Sequence, residues 1–262
     1  DNTIGGMLVF LTIINIALRD FYKKNRKRKW LKIDVLSLIA LVQLLMFTRS
    51  RTSLGALILI LLIYFIFSKV NINKKCAHFL FWGFIVTILC MTIIYSFITT
   101  FSFYSEWNQL SVKYFGKNID SSRPMLWKRS IQAIGGNWLF GIGTGTLPSD
   151  FMMFDASFHN QFLQLFMQNG ALGLLTFYYL LYTLWKPMAN NLRDPVIKIC
   201  AAGFFGIIIY NSFETTLLQN KIALGLIEWQ LIAIGVSRGE RINGISRDKN
   251  IYRKGGKKCT RY

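Results

Sequence analysis

Charged residues are scarce in this sequence, and most of those present are bases. Of 262 residues, 16% are charged and 53% are hydrophobic, which lies outside the usual composition of a soluble globular domain. The four cysteines, at positions 76, 90, 200 and 259, lack the paired spacing of a zinc site or a disulfide framework, so we interpret them as free thiols. Neither an internal repeat nor an alternating strand pattern is visible, which argues against repeat arrays and membrane barrels.

The apolar residues come in long runs that predict membrane-spanning helices. Residues 78–99 contain no acid or base except His78 at one edge, and this length is sufficient to cross about 30 Å of hydrocarbon. No cleavable signal peptide is visible, and because the sequence opens on Asp1 we expect a fragment or a processed form. The predicted fold class is an all-α polytopic membrane protein with about seven transmembrane helices, near residues 4–18, 30–48, 54–68, 78–99, 160–185, 196–212 and 221–236.

The net charge of +19 is concentrated between the apolar runs. Four segments hold 23 of the 31 bases: one between the first and second runs, one between the third and fourth, one after the fifth, and the tail from Arg238. The positive-inside rule makes all four cytoplasmic, and seven spans satisfy this without conflict. We therefore interpret the bases as topology signals or lipid-headgroup contacts and expect no nucleic-acid partner.

This topology divides the chain into four predicted regions and leaves a long loop outside. Residues 1–99 hold helices 1–4 with basic cytoplasmic loops, and residues 100–158 form an extracytoplasmic loop containing short helices. Residues 159–237 hold helices 5–7, and residues 238–262 form a basic cytoplasmic tail. Chemistry is expected on the outer side, where the residues that do not fit a purely structural role are found.

Arg49 and Arg51 lie in the short turn between the second and third runs, on the side that the positive-inside rule assigns to the exterior. A lipid-linked diphosphate would compensate their charge, because guanidinium groups form charge-assisted, often bidentate bonds to phosphate oxygens. Snorkelling of both side chains to lipid headgroups is the alternative.

The stretch SSRPMLWKRSIQAI in the outer loop predicts a short helix. Ser121 or Ser122 is a suitable N-cap, Pro124 fits the first turn, and glycines follow from Gly135. Arg123 stands at the helix start, and Lys128 and Arg129 add positive charge.

A glycine-rich turn follows, and its N–H groups could approach an anion. A plain tight connection is equally compatible with this pattern, in which glycines alternate at positions 141, 143 and 145.

His159 is the one histidine in the predicted outer segments, at the start of the fifth run. A lone histidine is usually structural. The N-terminus of a membrane helix, however, disfavours imidazolium and favours a neutral imidazole able to accept a proton. The same helix end favours a nearby phosphate, so His159 is a candidate catalytic residue.

Two carboxylates and two glycines complete the candidates. Glu214 lies near the outer turn beside two threonines, which makes it a site candidate, whereas Glu228 falls in the middle of the last run as a protonated or ion-paired structural group. Gly170 and Gly173 are three residues apart, which predicts one small helix face that packs closely against a neighbour.

His159-Asn160, followed after nine residues by Gly170-Ala171-Leu172-Gly173, resembles the His-Asn…Gly-x-x-Gly pattern of the O-antigen ligase and O-antigen polymerase superfamily. Ser50-Arg51-Thr52-Ser53-Leu54 is similar to its Ser-Arg segment opening a membrane helix, and residues 123–145 resemble its outer loop. Trp138 departs from the pattern, since many members have Pro there. The resemblance covers about residues 40–225, and because members typically have more than seven spans, we expect several N-terminal helices to be missing.

The resemblance implies a metal-independent, inverting glycosyltransferase of cell-surface polysaccharide biosynthesis. It implies a multi-pass protein of the cytoplasmic (inner) membrane with its active site facing the extracytoplasmic side. The donor would be an undecaprenyl-diphosphate-linked glycan, the acceptor a glycan or a lipid core, and the other partners membrane lipids; no cofactor is expected.

The same resemblance implies roles for individual residues. His159 would be the general base, while Arg51 and Arg123 would bind the diphosphate and stabilise the charge that develops on the leaving group. Substrate binding is expected of Arg49, Asn160, Glu214, Gly143 and Gly145. The loop acids include no Asp-x-Asp pair for a divalent cation, and Asp155 is placed to orient His159.

A lipid-linked oligosaccharide flippase or other polysaccharide transporter is the alternative. Transporters usually show charged or broken helices along a central path, and repeated halves. This sequence instead concentrates its unusual residues in the predicted outer segments, which favours the transferase.

Overall fold

A computed structural model describes residues 2–24, 28–48, 50–116, 118–119, 123–152, 157–218 and 221–256. Within these ranges the chain is helical, and no β-strand occurs in them. The α-helices are α1 (Asn2–Lys24), α2 (Arg28–Phe47), α3 (Arg51–Lys69), α4 (Lys74–Ser96), α5 (Tyr104–Phe115), α6 (Arg123–Ile134), α7 (Gln161–Ala189), α8 (Pro195–Asn211) and α9 (Ile222–Gly256). Short 3-10 turns occupy Ile98–Thr100, Gly135–Asn137 and Pro148–Asp150.

The seven predicted apolar runs coincide with helices α1 to α4 and α7 to α9. Three helical segments are long and apolar enough to cross a membrane: α3, α4 and Ile222–Ile245 of α9. The apolar parts of α1, α2 and α8 are shorter, and α7 is interrupted at Gly170. The all-helical membrane class is confirmed, whereas the seven-span count and the sidedness of the loops stay predictions.

Helix α9 extends well beyond the predicted run that ends at residue 236. It continues to Gly256, through most of the segment predicted as a basic tail. No proline interrupts this stretch, and arginine, lysine and glutamate are good helix formers. Loss of hydrophobicity therefore ends the apolar run without ending the helix.

The chain forms two compact units. One consists of Asp1–Leu80, Leu181–Tyr210 and Ile222–Tyr262, and the other of Phe81–Leu180 and Asn211–Lys221. In the first unit, α1 packs against α2, α3 and α9. The second unit contains α5, α6 and the segments that flank the start of α7.

Helix α3 in the first unit begins at the Ser-Arg segment. Ser50 is the N-cap, with an extended backbone and a side chain that accepts a hydrogen bond from the N–H of Ser53 at 3.3 Å. The two serine hydroxyls lie 2.8 Å apart, and the Ser50 hydroxyl also donates to Asn2 Oδ1 at 2.8 Å. This network fixes the point at which Arg51 begins the helix.

Candidate active site

Trp127 anchors α6 in the core of the second unit. Its ring is fully buried and packs edge-on against Tyr95 at a centroid distance of 5.2 Å. Its indole Nε1–H donates to the carbonyl of Phe158 at 2.8 Å, which ties α6 to the residue before His159. The surrounding apolar cluster comprises Leu126, Ile134, Met152, Phe158, Leu163 and Met167.

His159 has a left-handed backbone conformation, with φ at +50°. Among the described residues it is the one non-glycine residue with positive φ. Such a conformation costs about 1–3 kcal/mol and persists only where its surroundings impose it. Two hydrogen bonds restrain the backbone at this position. Trp127 holds the carbonyl of the preceding residue, Phe158, and the His159 N–H donates to the hydroxyl of Ser157 at 3.3 Å.

Asn160 is the N-cap of α7, next to His159. Its Oδ1 accepts from the N–H groups of Phe162 at 3.0 Å and Leu163 at 2.9 Å, as N-cap residues do. Its side chain is fully buried, and Nδ2 donates to Thr92 Oγ1 at 3.4 Å. This geometry places Asn160 as a structural support of His159, so the predicted contact with substrate would require both ends of the amide to exchange partners.

Glu214 lies in the segment after α8, which Asn211 organises. The Asn211 Oδ1 accepts from the N–H groups of Thr216 at 3.1 Å and Leu217 at 3.0 Å. The neighbouring Thr215 hydroxyl lies 3.3 Å from that of Ser157. This contact between Ser157 and Thr215 therefore joins the segment that carries His159 to the segment that carries Glu214.

Arg123, Glu214 and His159 form one charged cluster. Arg123 donates through Nη2 to Glu214 Oε1 at 2.9 Å, and Glu214 Oε2 lies 3.6 Å from His159 Nδ1. The Arg123 guanidinium carbon also lies 6.0 Å from the centre of the Phe213 ring, within cation–π range. The sequence singled out all three members, and the structure brings them together.

Exposure differs along this cluster. The Glu214 side chain is 4% exposed and that of Arg123 14%, whereas that of His159 is 41% exposed. A buried carboxylate requires a compensating charge, which Arg123 supplies. The imidazole is therefore the member that an external molecule can reach, and the ion pair lies behind it.

The glycine-rich turn fills an interruption in α7. Gly170 has φ +64° and ψ −166°, so it leaves the helical conformation. The freed N–H of Ala171 donates to the Trp138 carbonyl at 2.8 Å, and that of Leu172 to the Leu139 carbonyl at 3.2 Å. A Cβ at position 170 would clash with the Leu139 carbonyl group.

The Gly170 prediction was incomplete, because these glycines do not form one regular helix face. Gly170 sits at a break and faces a loop backbone rather than a neighbouring helix. In return, the Ile142 N–H donates to the Met167 carbonyl at 2.8 Å and the Gly143 N–H to the Gln168 carbonyl at 3.3 Å. The Gly143 N–H is thus used within the protein, whereas Gly145 is exposed with open space around its Cα.

Two further residues singled out from the sequence, Arg51 and Glu228, belong to the first unit. Arg51 is exposed at the first position of α3, in the first unit, and its convergence with Arg123 and His159 stays a prediction. Glu228 is fully buried in α9, also in the first unit. Arg49 and Asp155 lie outside the described residues. In the part of the chain that is described, no three His, Cys, Asp or Glu side chains are grouped to hold a metal ion.

Several positioning residues escaped sequence reasoning. Trp127, Ser157, Asn211 and Thr215 hold the two segments that contribute His159 and Glu214. Their residue types are common in loops and cores, and their partners are distant in sequence. Only Asn211, at the end of an apolar run before a turn, carried a local signal, since asparagine often bonds to backbone groups at such ends.

The sequence of this chain matches a protein-family model. A family model described as O-antigen ligase matches residues 36–178, which is more than half of the chain. No curated protein and no solved structure matches this chain. The matched range includes Arg51, Arg123 and His159, and the chain is a member of the O-antigen ligase family, whose enzymes are glycosyltransferase-like and process glycans at membranes.

Proposed function

We propose that this chain transfers or polymerises glycan from an undecaprenyl-diphosphate-linked donor, on the extracytoplasmic side of the cytoplasmic membrane. The observation that carries the proposal is the Glu214 carboxylate, which contacts Arg123 with one oxygen and faces His159 with the other. An exposed imidazole backed by a buried carboxylate is an arrangement suited to general-base catalysis.

In the proposed reaction, an acceptor hydroxyl attacks the anomeric carbon of the donor sugar. The new carbon–oxygen bond forms as the bond to the diphosphate oxygen breaks, with inversion at that carbon, and undecaprenyl diphosphate leaves with the bonding electron pair. His159 Nε2 takes the hydroxyl proton. In this scheme, neither the displacement at the anomeric carbon nor the proton transfer to His159 uses a metal ion.

Glu214 is assigned to hold and stabilise the imidazole. With Nδ1–H directed to Glu214, Nε2 keeps the lone pair that accepts the proton. The 3.6 Å separation is longer than a hydrogen bond, and catalytic contacts of this kind often tighten only when substrate is bound. This role replaces direct substrate binding as the function of Glu214.

The bases are assigned to the diphosphate. Arg123 shares its charge with Glu214, so its remaining N–H groups would contribute less than an uncompensated guanidinium. Arg51 and Arg49 keep the predicted role of balancing the negative charge of the diphosphate leaving group. Gly145 keeps the predicted role of contacting the substrate through its backbone. Gly143 and Asn160 are proposed to shape the site rather than to bind substrate, since their polar groups have protein partners.

The experiment replaces His159 in full-length protein reconstituted with labelled lipid-linked glycan and an acceptor. Asparagine tolerates the left-handed conformation, so His159→Asn removes the base without adding backbone strain. We expect transfer to fall by about 10²- to 10⁴-fold, with translocation of the lipid-linked glycan unchanged. His78→Asn, which alters the other histidine of the chain, should keep full activity.

Chemical rescue separates catalysis from folding. His159→Gly also accepts positive φ and leaves space for exogenous imidazole, which should restore part of the lost transfer. Loss of translocation with transfer intact would instead support a transporter. Full transfer by His159→Asn would overturn the proposed role of the imidazole.

A further inference from the structure

The first unit contains a basic cleft whose lining includes none of the residues assigned above. The end of α3 and the turn between α7 and α8 enclose a cavity of about 330 Å³. Its lining includes Lys69 from α3, Arg193 from the turn and Lys198 from α8. The predicted topology put Lys69 in one cytoplasmic segment and Arg193 and Lys198 in another. The fold brings them to one cavity, which we name the basic cleft.

Within the described part of the chain, the cations of the basic cleft have no ion-pair partner. The ion pairs of the described residues include none of Lys69, Arg193 and Lys198. The acid of this turn, Asp194, is already used, because Arg238 donates to its Oδ2 at 2.8 Å. Its Oδ1 accepts from the N–H groups at the start of α8. Three cations therefore face one cavity, and no carboxylate of the described residues forms an ion pair with them.

The basic cleft adjoins an apolar surface. Helix α3 is long and apolar enough to span a membrane and ends at Lys69, so a bilayer spanned by α3 would have its headgroups at the level of the cavity. Leu62, Phe65 and Ile66 are exposed on the last turns of α3. Lys69 Nζ lies 5.9 Å from the centre of the Phe65 ring, so the cationic and apolar surfaces are contiguous.

We propose that the basic cleft binds the phosphodiester of one anionic phospholipid, whose acyl chains lie along the exposed face of α3. Guanidinium and ammonium groups together bind phosphate oxygens well, and basic pockets near the ends of membrane helices are typical headgroup sites. A free phosphate would use the same cations but would gain nothing from the apolar face. This lipid is distinct from the glycan donor, and the site is independent of the proposed transfer chemistry.

The test measures lipid retention by the full chain in detergent, using native mass spectrometry. Phosphatidylglycerol is compared with phosphatidylcholine and with inorganic phosphate as competitor. Lys69→Gln/Arg193→Gln/Lys198→Gln should weaken retention of phosphatidylglycerol by on the order of 100-fold, since each cation contributes roughly fivefold. Lys32→Gln/Lys75→Gln/Lys186→Gln removes the same charge outside the cavity and should change retention by less than about threefold.

Two results would overturn the proposal. An equal loss in the control triple variant would mean that diffuse charge attracts the lipid, and displacement of phosphatidylglycerol by millimolar phosphate would make the cleft a free-phosphate site. A photoreactive phosphatidylglycerol tests the unaltered chain, in case the triple variant does not fold. Its crosslinks should map to residues 65–72 and 192–198, and crosslinks spread over other segments would equally contradict a defined site.

Discussion

Glu214 Oε2 lies 3.6 Å from His159 Nδ1, although the two residues are far apart in sequence and belong to different loops. The carboxylate is almost fully buried, while the imidazole is partly exposed. The Glu214 carboxylate lies on the buried side of the imidazole, which is the position of a residue that orients a general base. Glu214 is therefore a positioning residue in the proposed reaction, and its effect on turnover should differ from its effect on donor binding.

Glu214→Gln tests this role directly. The amide keeps the shape of the side chain but loses the charge that stabilises imidazolium, so we expect turnover to fall roughly 10- to 100-fold. Donor KM should not rise, because Arg123 regains its uncompensated charge. Steady-state transfer kinetics in proteoliposomes measure both values. Glu106→Gln, at an exposed position in the first turn of α5, is the matched control and should retain normal turnover.

The Arg123–Glu214 ion pair should be strongly coupled in stability. Removing one partner leaves an uncompensated buried charge, which costs about 3–5 kcal/mol in similar pairs. Arg123→Met and Glu214→Gln together remove both charges, so the double variant should lose less than the sum of the singles by about 0.5–3 kcal/mol. Denaturant unfolding in detergent provides the free energies. Strict additivity would mean that the two side chains do not depend on each other.

Trp127→Phe should loosen the backbone at His159. The phenyl ring keeps most of the aromatic packing but loses the bond from Nε1 to the Phe158 carbonyl. We expect a stability loss of about 1–3 kcal/mol, because a buried carbonyl is left without its partner, and a fall in turnover larger than any change in KM. Trp138→Phe, which alters an exposed ring, should change neither quantity. A Trp127→Phe enzyme with normal turnover would separate this hydrogen bond from catalysis.

Local chemistry made α6 and the start of α7 predictable. Pro124 in the first turn and Gly135 beyond the end predicted a short helix, and α6 occupies Arg123–Ile134. His159, Arg123 and Glu214 could each be singled out from their predicted positions: His159 at the start of an apolar run, Arg123 at the start of a loop helix, and Glu214 near a predicted outer turn. Their pairing could not be predicted, since Arg123 and Glu214 are 91 residues apart and no local pattern encodes such a contact.

The interruption of α7 shows why spacing alone was insufficient. Gly170 and Gly173 have the separation of residues on one helix face, which predicts helix packing. The conformation of Gly170 depends instead on the carbonyl groups of Trp138 and Leu139, which accept the N–H groups freed by the break. A helix can tolerate such a break where another segment satisfies its backbone groups, and that segment comes from another part of the chain.

Gly170→Ala should therefore be costly although alanine is the better helix former. The residue must adopt positive φ, which costs about 1–2 kcal/mol for an L-residue, and its Cβ would clash with the Leu139 carbonyl. We expect a total loss of about 2–5 kcal/mol and reduced transfer. Gly83→Ala, in α4 with open space around its Cα, should be neutral or slightly stabilising. A stable, active Gly170→Ala protein would contradict the observed break in the helix.

The ion pair at the start of α8 predicts a pH dependence of stability. Burial favours the neutral form of Asp194, but its hydrogen bond to Arg238, the N–H groups of Ile197 and Val196, and the Arg238 charge outweigh burial and hold the pKa of Asp194 below its usual value. Because the folded pKa is lowered, the stabilisation is fully present above the unfolded pKa and is lost as pH falls through the folded pKa.

Asp194→Asn should remove that part of the pH dependence. At pH 7 the variant is expected to be less stable, since the amide still caps α8 but loses the charge that pairs with Arg238, which costs up to about 1 kcal/mol at a partly exposed pair. On acidification the unaltered protein should lose stability toward the level of the variant, so the two melting curves converge below about pH 4. Thermal unfolding in detergent from pH 7 to pH 3 measures this convergence. A constant difference across the range would mean that Asp194 acts through shape rather than charge.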